Sequence, residues 1–367
     1  MTQMTAETLR ERFSAARTAG KRAKEAAESL GVSEGEAVAA HCGEHAYPPK
    51  ARLLQGPWVE LLQSLEGCGP LMALTRNEST VHEKTGIYQK ISATGHMGLA
   101  LGEDIDLRLF LNQWHAGFAV TELAANPSNR PNVSLQFFDK HGKAVHKIFQ
   151  RDATDVDAWH ASIDAYCTAS NESVKFESPA TVTPIPSDDS RDQEGLLAAW
   201  GAMKDTHEFF GMLKKFEVER QQSLRLARGV YTREIASSSL RELLFEASFD
   251  GTPIMCFVGS PGCIQIHTGP VKRIEPMDIR GVQWLNVIDP TFNLHLREDS
   301  IAHVWAVEKP TADGVVTSVE AFDHDGALMA MFFGARKPGQ PEKTGWRQIV
   351  AKLRAVDQHE AAQAVPA

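Results

Sequence analysis

Two aromatic rings, Phe209 and Phe210, follow directly on Glu208 behind His207, and two arginines, Arg220 and Arg225, come a few turns later. A neutral imidazole offers a nitrogen lone pair, the rings offer apolar walls, and guanidinium groups fork onto carboxylates. Together they form the donor set that an axial haem-iron ligand requires, with walls for the macrocycle and cations for its propionates. A histidine at a helix edge also occurs as a satisfied structural residue, and spacing alone does not separate the two readings. The surrounding stretch, Trp200 to Arg228, reads as an amphipathic helix: Met203, Phe210 and Leu213 fall at helical spacing while Lys204, Lys214 and Lys215 stay wet.

A second cluster with ligand chemistry is His41, Cys42 and His45, in the order H-C-x-x-H. It has no second ligand pair downstream, and Pro48 and Pro49 follow closely, so it reads as a helix end rather than a zinc site. Residues 5 to 65 read as helices, with Ser33 and Glu36 spaced as a capping box. Helix, glycine turn and helix over Ala23 to Ala40 also suggest a helix-turn-helix DNA reader. Against it, the second helix carries Glu34 and Glu36 and no arginine to face phosphates or guanine edges.

The elements that must position His207 belong to a chain of 367 residues, enough for about two domains. A 43% hydrophobic and 23% charged composition describes a soluble globular protein. No apolar run approaches the roughly 20 residues that span a bilayer, so the chain is not expected to be membrane-embedded. The N-terminus mixes acids and arginines without an apolar core, unlike a secretory signal, and the mature chain is expected to begin near Met1. Five scattered cysteines without a Cys-x-x-Cys pair suggest reduced thiols and a cytoplasmic location. A net charge of -9 argues against nucleic acid as a partner.

From Leu71 the period changes. MALTRN, STVHEK, GIYQKIS, HMGLAL, IDLRLFL, GFAVTEL, NVSLQFFD and AVHKIFQR are short β-branched and aromatic runs punctuated by turn residues, which predicts an antiparallel sheet. Asp152 to Ser170, with Trp159 and Ile163 at helical spacing, closes the unit as a helix. Residues 171–194 are rich in Ser, Pro and Asp and read as a linker. Beyond it the pattern recurs: SLQFFDKHG at Ser134 returns as SVEAFDHDG at Ser318, a spacing of 184, and Thr85-Gly86 returns as Thr268-Gly269 at 183. DLRL at Asp106 returns as NLHL at Asn293, and GVSEGEAV matches EVERQQSL at a shift of 186. The fold class is therefore α+β with an internal duplication, two similar halves each carrying an antiparallel β-sheet and flanking α-helices. The division is 1–170 as first repeat, 171–194 as linker, 195–355 as second repeat and 356–367 as a disordered tail. At the shift of 186 the counterpart of His207 is Lys21, and Arg108 stands opposite His295, so the copies have diverged at both positions.

The strings IDLRLFLNQW (Ile105 to Trp114), SLQFFDKHGKAVHK (Ser134 to Lys147), DTHEFFGMLKK (Asp205 to Lys215), VERQQSLR (Val218 to Arg225), GCIQIHTG (Gly262 to Gly269) and KPTADGVVTS (Lys309 to Ser318) resemble those of the bacterial haemin-utilisation proteins of the HemS/ChuS/PhuS type. The match runs in order from roughly Ala6 to Leu353. The resemblance implies a cytoplasmic protein of haem iron acquisition that binds haem b and either opens the ring or delivers haem to a haem oxygenase. The implied partners are an inner-membrane haem importer and a haem oxygenase or reductase, and a homodimer is compatible with the pattern.

Carried over string by string, the resemblance makes His207 the proximal iron ligand, supplied by the second half. Arg108 approaches the distal face as the catalytic residue, with Phe110 packing on the porphyrin. A guanidinium stays protonated, so Arg108 suits hydrogen bonding to a ligand on the iron better than ligating the metal. Arg220, Lys309 and Arg336 match basic pocket residues that neutralise propionates. Before the last arginine, where family members often have Gln and Tyr, this chain reads MFFGAR, placing Met331 and Phe333 in the C-terminal wall. With His207 from one copy and Arg108 from the other, haem is expected in a cleft between the copies.

Overall fold

Alternation builds the strands. In Thr80–Gly86 every second side chain is buried, and the same period of two runs through Asp106–Phe110, Ile254–Gly259 and Phe292–Arg297. Asn132–Phe138 and Gly314–Phe322 are instead buried on both faces, as strands covered on two sides must be. The computed structural model describes residues 4–122, 132–168, 174–179, 184–336 and 339–356. Two compact units emerge: Met1–Arg76 with His82–Thr181 and Gly259–Gln265, and Asn77–Val81 with Val182–Val258 and Ile266–Ala367. The tail expected at 356–367 lies, beyond Val356, outside the described residues.

In the first half of the sequence, six strands are hydrogen-bonded in the order Lys50–Leu54, Ala116–Glu122, Asn132–Phe138, Ala144–Gln150, Leu71–Arg76 and Thr80–Gly86. Ile91–Thr94, Met97–Leu101 and Asp106–Phe110 form an antiparallel meander. The second half repeats the plan with Thr232–Ile235, His303–Thr311, Gly314–Phe322, Leu328–Gly334, Ile254–Gly259 and Cys263–Gly269 in that order. Its meander is Ile274–Ile279, Val282–Ile288 and Phe292–Arg297. The duplication holds to the residue: Ser134 pairs with Phe149 as Ser318 pairs with Phe333. The β-bulge between Phe137 and Phe138 recurs between Ala321 and Phe322. The capping box of Ser33 and Glu36 on Glu34–Ala40 has its counterpart in Glu219 and Gln222 on Arg220–Leu226.

Each unit has its own core. Trp159, Phe137, Leu135 and Leu107 centre the first; Trp346, Phe332, Leu243 and Leu294 centre the second. A further cluster in the second unit, with Trp200, Phe209, Leu213, Leu224, Trp305 and Phe322, holds the helices around His207 onto their sheet. Burial of such side chains contributes about 1.5–3 kcal/mol each.

Four sequence expectations are revised. Trp200 to Arg228 is not one helix but the end of Gln193–Gly201 followed by Glu208–Lys215 and Arg220–Leu226. The breaks have local causes: Glu217 takes a left-handed backbone with φ 52°, and Glu219 opens the next helix with its capping box. Phe210, assigned to the apolar face, is 75% exposed, and Phe209 is buried in its place. Residues 5 to 65 include a strand, Lys50–Leu54, and GIYQKIS starts its strand only at Ile91, because buried Tyr88 and the left-handed Lys90 interrupt the run. Within the stretch read as a linker, Val174 and Phe176 pack on the first unit, and Asp188 accepts from Gln222 and Arg225 in the second.

Candidate functional site

The loop between Gly201 and Glu208 carries His207. Lys204 accepts a backbone hydrogen bond from Ala312 at 2.9 Å, fastening the loop to the hairpin turn after His303–Thr311. Behind it, Trp200 stands edge-on to Phe209 at 4.7 Å, stacks on Tyr231 and donates from Nε1 to Glu308 O. The helix base is thus fixed in the core while the His207 side chain is 91% exposed. Its Nδ1 lies 2.6 Å from Asp205 Oδ1, which also accepts the His207 backbone N–H at 2.8 Å.

Two residues beyond His207, the Phe209 ring gathers charge. Lys309 Nζ lies 4.6 Å from its centroid and the Arg220 guanidinium 5.2 Å. Both cations converge on Glu320, a residue sequence reasoning missed. Arg220 forks onto it with Nε at 2.7 Å and Nη2 at 2.9 Å, while Lys309 Nζ and Ser318 Oγ reach Oε1 at 2.9 Å. Glu320 is wholly buried; burial alone would raise its pKa, but the Arg220 and Lys309 charges overcome this and hold it far below the usual carboxylate range. The triad therefore carries a net charge of about +1. Lys309 is 3% exposed, whereas Arg220 is partly open. The two departures in MFFGAR face this triad: Met331 Sδ lies 3.0 Å from Arg220 Nη2, and Phe333 lies against Phe257 with Lys309 Nζ 5.9 Å from its ring. A thioether and an aromatic face thus stand beside the triad at Met331 and Phe333. Arg336 approaches Asp313 at 4.0 Å.

In the first unit Arg108 lies on Asp106–Phe110, bonded to the Asp106 carboxylate and, at 3.3 Å, to Leu107 O. Across the ladder Leu99 is opposite Arg108, and Met97 is opposite Phe110, giving a partly open face on which apolar side chains flank the Arg108–Asp106 pair. Met97 and Leu99 were missed, although the alternation in HMGLAL carried the signal.

At the position equivalent to Arg220 the first unit has a residue of opposite charge, although the cluster around it again sets two cations on one carboxylate. Glu34 replaces Arg220 and is buried between Lys147, 2.6 Å away, and Arg76. Burial raises its pKa, but those two cations pull it down to about 2. His41 is a buried helix C-cap bonded through Nδ1 to Ala37 O, as a helix-end reading requires, and among the described residues no group of three or more His, Cys, Asp or Glu could hold a metal. A cleft of about 720 Å³ in the second unit, lined by Tyr231, Arg233, Glu308 and Arg347, includes none of His207, Arg220, Lys309, Arg336 and Arg108.

The chain belongs to the family of the haemin-degrading HemS.ChuX domain, whose model matches it twice, over residues 31–166 and 217–353. It is 38% identical to the hemin transport protein HmuS of Yersinia pestis, over 91% of this chain and 93% of that one. Among solved structures it is similar to holo-PhuS, a heme-binding protein from Pseudomonas aeruginosa, with a TM-score of 0.90, 42% identity and coverage of 96% and 100% of the two chains. It is also similar to ChuS, a heme-degrading enzyme of Escherichia coli O157:H7, with a TM-score of 0.85, 36% identity and coverage of 95% and 100%.

Proposed function

We propose that this protein binds ferric haem in the cytoplasm for iron acquisition and degrades it with O₂ and an external reductant. The observation that carries the reading is the second unit's arrangement: an exposed imidazole on a fixed helix end, two residues from an aromatic ring that holds Lys309 and Arg220. The donor set fits the ligand, since a neutral nitrogen suits iron and the net positive triad suits propionates. Phe333 and Phe209 supply aromatic surface, and Arg336 a further cation. Arg108 is the proposed distal residue, with Phe110, Met97 and Leu99 as apolar neighbours. Haem supplies the redox chemistry; the chain orients it and limits access of water. Relatives described as a hemin transport protein and as a heme-degrading enzyme support haem handling as the common theme. The free cysteines suit a reducing compartment, and no helix of the described residues is long and apolar enough to cross a membrane.

The test has two stages. Titration with ferric haemin should give a Soret band that His207→Ala alters together with the affinity; no change would remove His207 as ligand. Reductant is then added in air with catalase present, and products are separated. A biliverdin-like tetrapyrrole with released iron is expected, whereas intact haem would make the protein a carrier for a haem oxygenase or another acceptor.

A further inference from the structure

Asp205 holds His207 through both its backbone and its ring. A single oxygen, Oδ1, accepts the His207 backbone N–H at 2.8 Å and lies 2.6 Å from Nδ1. Because an ionised carboxylate only accepts hydrogen bonds, Nδ1 must carry the proton and Nε2 the lone pair. An imidazole without such a partner distributes its proton over both nitrogens. The ring is 91% exposed, so packing does not hold it in place. Asp205 is itself anchored, since its carbonyl accepts from Glu208 N and the neighbouring Lys204 carbonyl accepts from Ala312 N.

We infer that Asp205 is a positioning residue that fixes His207 as the Nδ1–H tautomer, presents Nε2 to the iron of haem, and biases bound haem towards the ferric state. This rests on His207 as the iron ligand and adds the control of its electronics. A carboxylate on the remote ring nitrogen raises the basicity of the ligating one, and the more electron-poor ferric iron gains most from that. Removing such a partner commonly costs about tenfold or more in metal affinity.

Two variants separate electronic positioning from simple backbone anchoring. Asp205→Asn keeps an acceptor for the His207 backbone N–H and for Nδ1–H but loses the charge; Asp205→Ala loses both. In the full-length apo-protein in alkaline buffer, nitrogen-15 NMR should find His207 as the Nδ1–H tautomer in the wild type and Asp205→Asn, and as a mixture in Asp205→Ala. Indistinguishable tautomers in the wild type and Asp205→Ala would overturn the pairing. In the haem complex, both variants should shift the midpoint potential positively and release ferric haem about tenfold faster or more, with a smaller effect on ferrous haem. A potential in Asp205→Asn equal to wild type, with only Asp205→Ala altered, would reduce Asp205 to a backbone anchor and overturn the electronic role. Haemin titrations indifferent to His207→Ala would overturn the iron part together with the ligand reading, and the apo-protein tautomer would register that failure separately.

Discussion

Glu320→Ala removes the one carboxylate between Arg220 and Lys309, and its cost can be worked from what remains. Arg220 is partly open and can turn towards water, but Lys309 is 3% exposed beneath the Phe209 and Phe333 rings. Its remaining hydrogen-bond partner is Ser318 Oγ at 3.3 Å, which carries no charge. Stranding one member of a buried pair costs about 3–5 kcal/mol, a large part of the roughly 5–15 kcal/mol that holds a typical domain. Lys309→Ala should cost a similar amount by stranding Glu320, although Arg220 still pairs with it, so the loss falls at the low end of the range. Because both substitutions break the same pair, the double variant should cost about 2–3 kcal/mol less than the sum of the singles. Urea unfolding followed by tryptophan fluorescence reads this directly, since Trp200 touches Phe209. Additive single effects, or a loss below about 1 kcal/mol for Glu320→Ala, would refute the view of the triad as one electrostatic unit.

Acid should destabilise the first unit. Burial depresses His146 from 6.5 to about 3 and His41 from 6.5 to about 4. Their neutral forms therefore stabilise the fold fully above the unfolded value of 6.5, and that stability is lost as pH falls towards the folded values. By about pH 5 each should have lost about 2 kcal/mol, measurable as a lower urea midpoint; a midpoint flat between about pH 7 and pH 5 would contradict the burial account. Arg108→Ala is expected to slow reductant-driven haem loss more than it weakens haemin binding, and equal effects on both would argue against a distal role. Gly334→Ala would drive a Cβ to 2.6 Å from the buried Trp346 ring, so a loss of about 1–3 kcal/mol in the second unit is expected from thermal or urea unfolding.

The sheets were legible in the sequence because their signal is local. Alternation in STVHEK and IDLRLFL, and the recurrence of SLQFFD as SVEAFD, needed no knowledge of what covers each strand. The His207 stretch was harder to read because three short amphipathic helices share one face against the same sheet, and their apolar residues run together as a single stripe. Only the Asp205 bond, the left-handed Glu217 and the Glu219 box separate them, and each is a backbone event that periodicity does not register. Lys50–Leu54 escaped for the opposite reason: a short edge strand owes its existence to Ala116–Glu122 beside it rather than to its own pattern.

The asymmetry between the units bears on where charge chemistry resides. One backbone plan appears twice, down to the bulge and the helix start, so conservation of the plan assigns no role to either unit. The difference lies in the placement of the polar groups buried at matching points. Glu34, clamped by Lys147 and Arg76, occupies the Arg220 position in the first unit. Arg220 and Lys309 share Glu320 in the second, so each cluster sets two cations on one carboxylate and the net charge does not distinguish them. What distinguishes the second is that its cations stand over the Phe209 ring, two residues from the exposed imidazole, with Arg220 partly open. Substituting Arg220 by Met should therefore weaken haem binding while retaining the Lys309–Glu320 pair and the fold, as read by haemin titration beside urea unfolding. Equal haem affinity in Arg220→Met would show that this guanidinium does not serve the propionates.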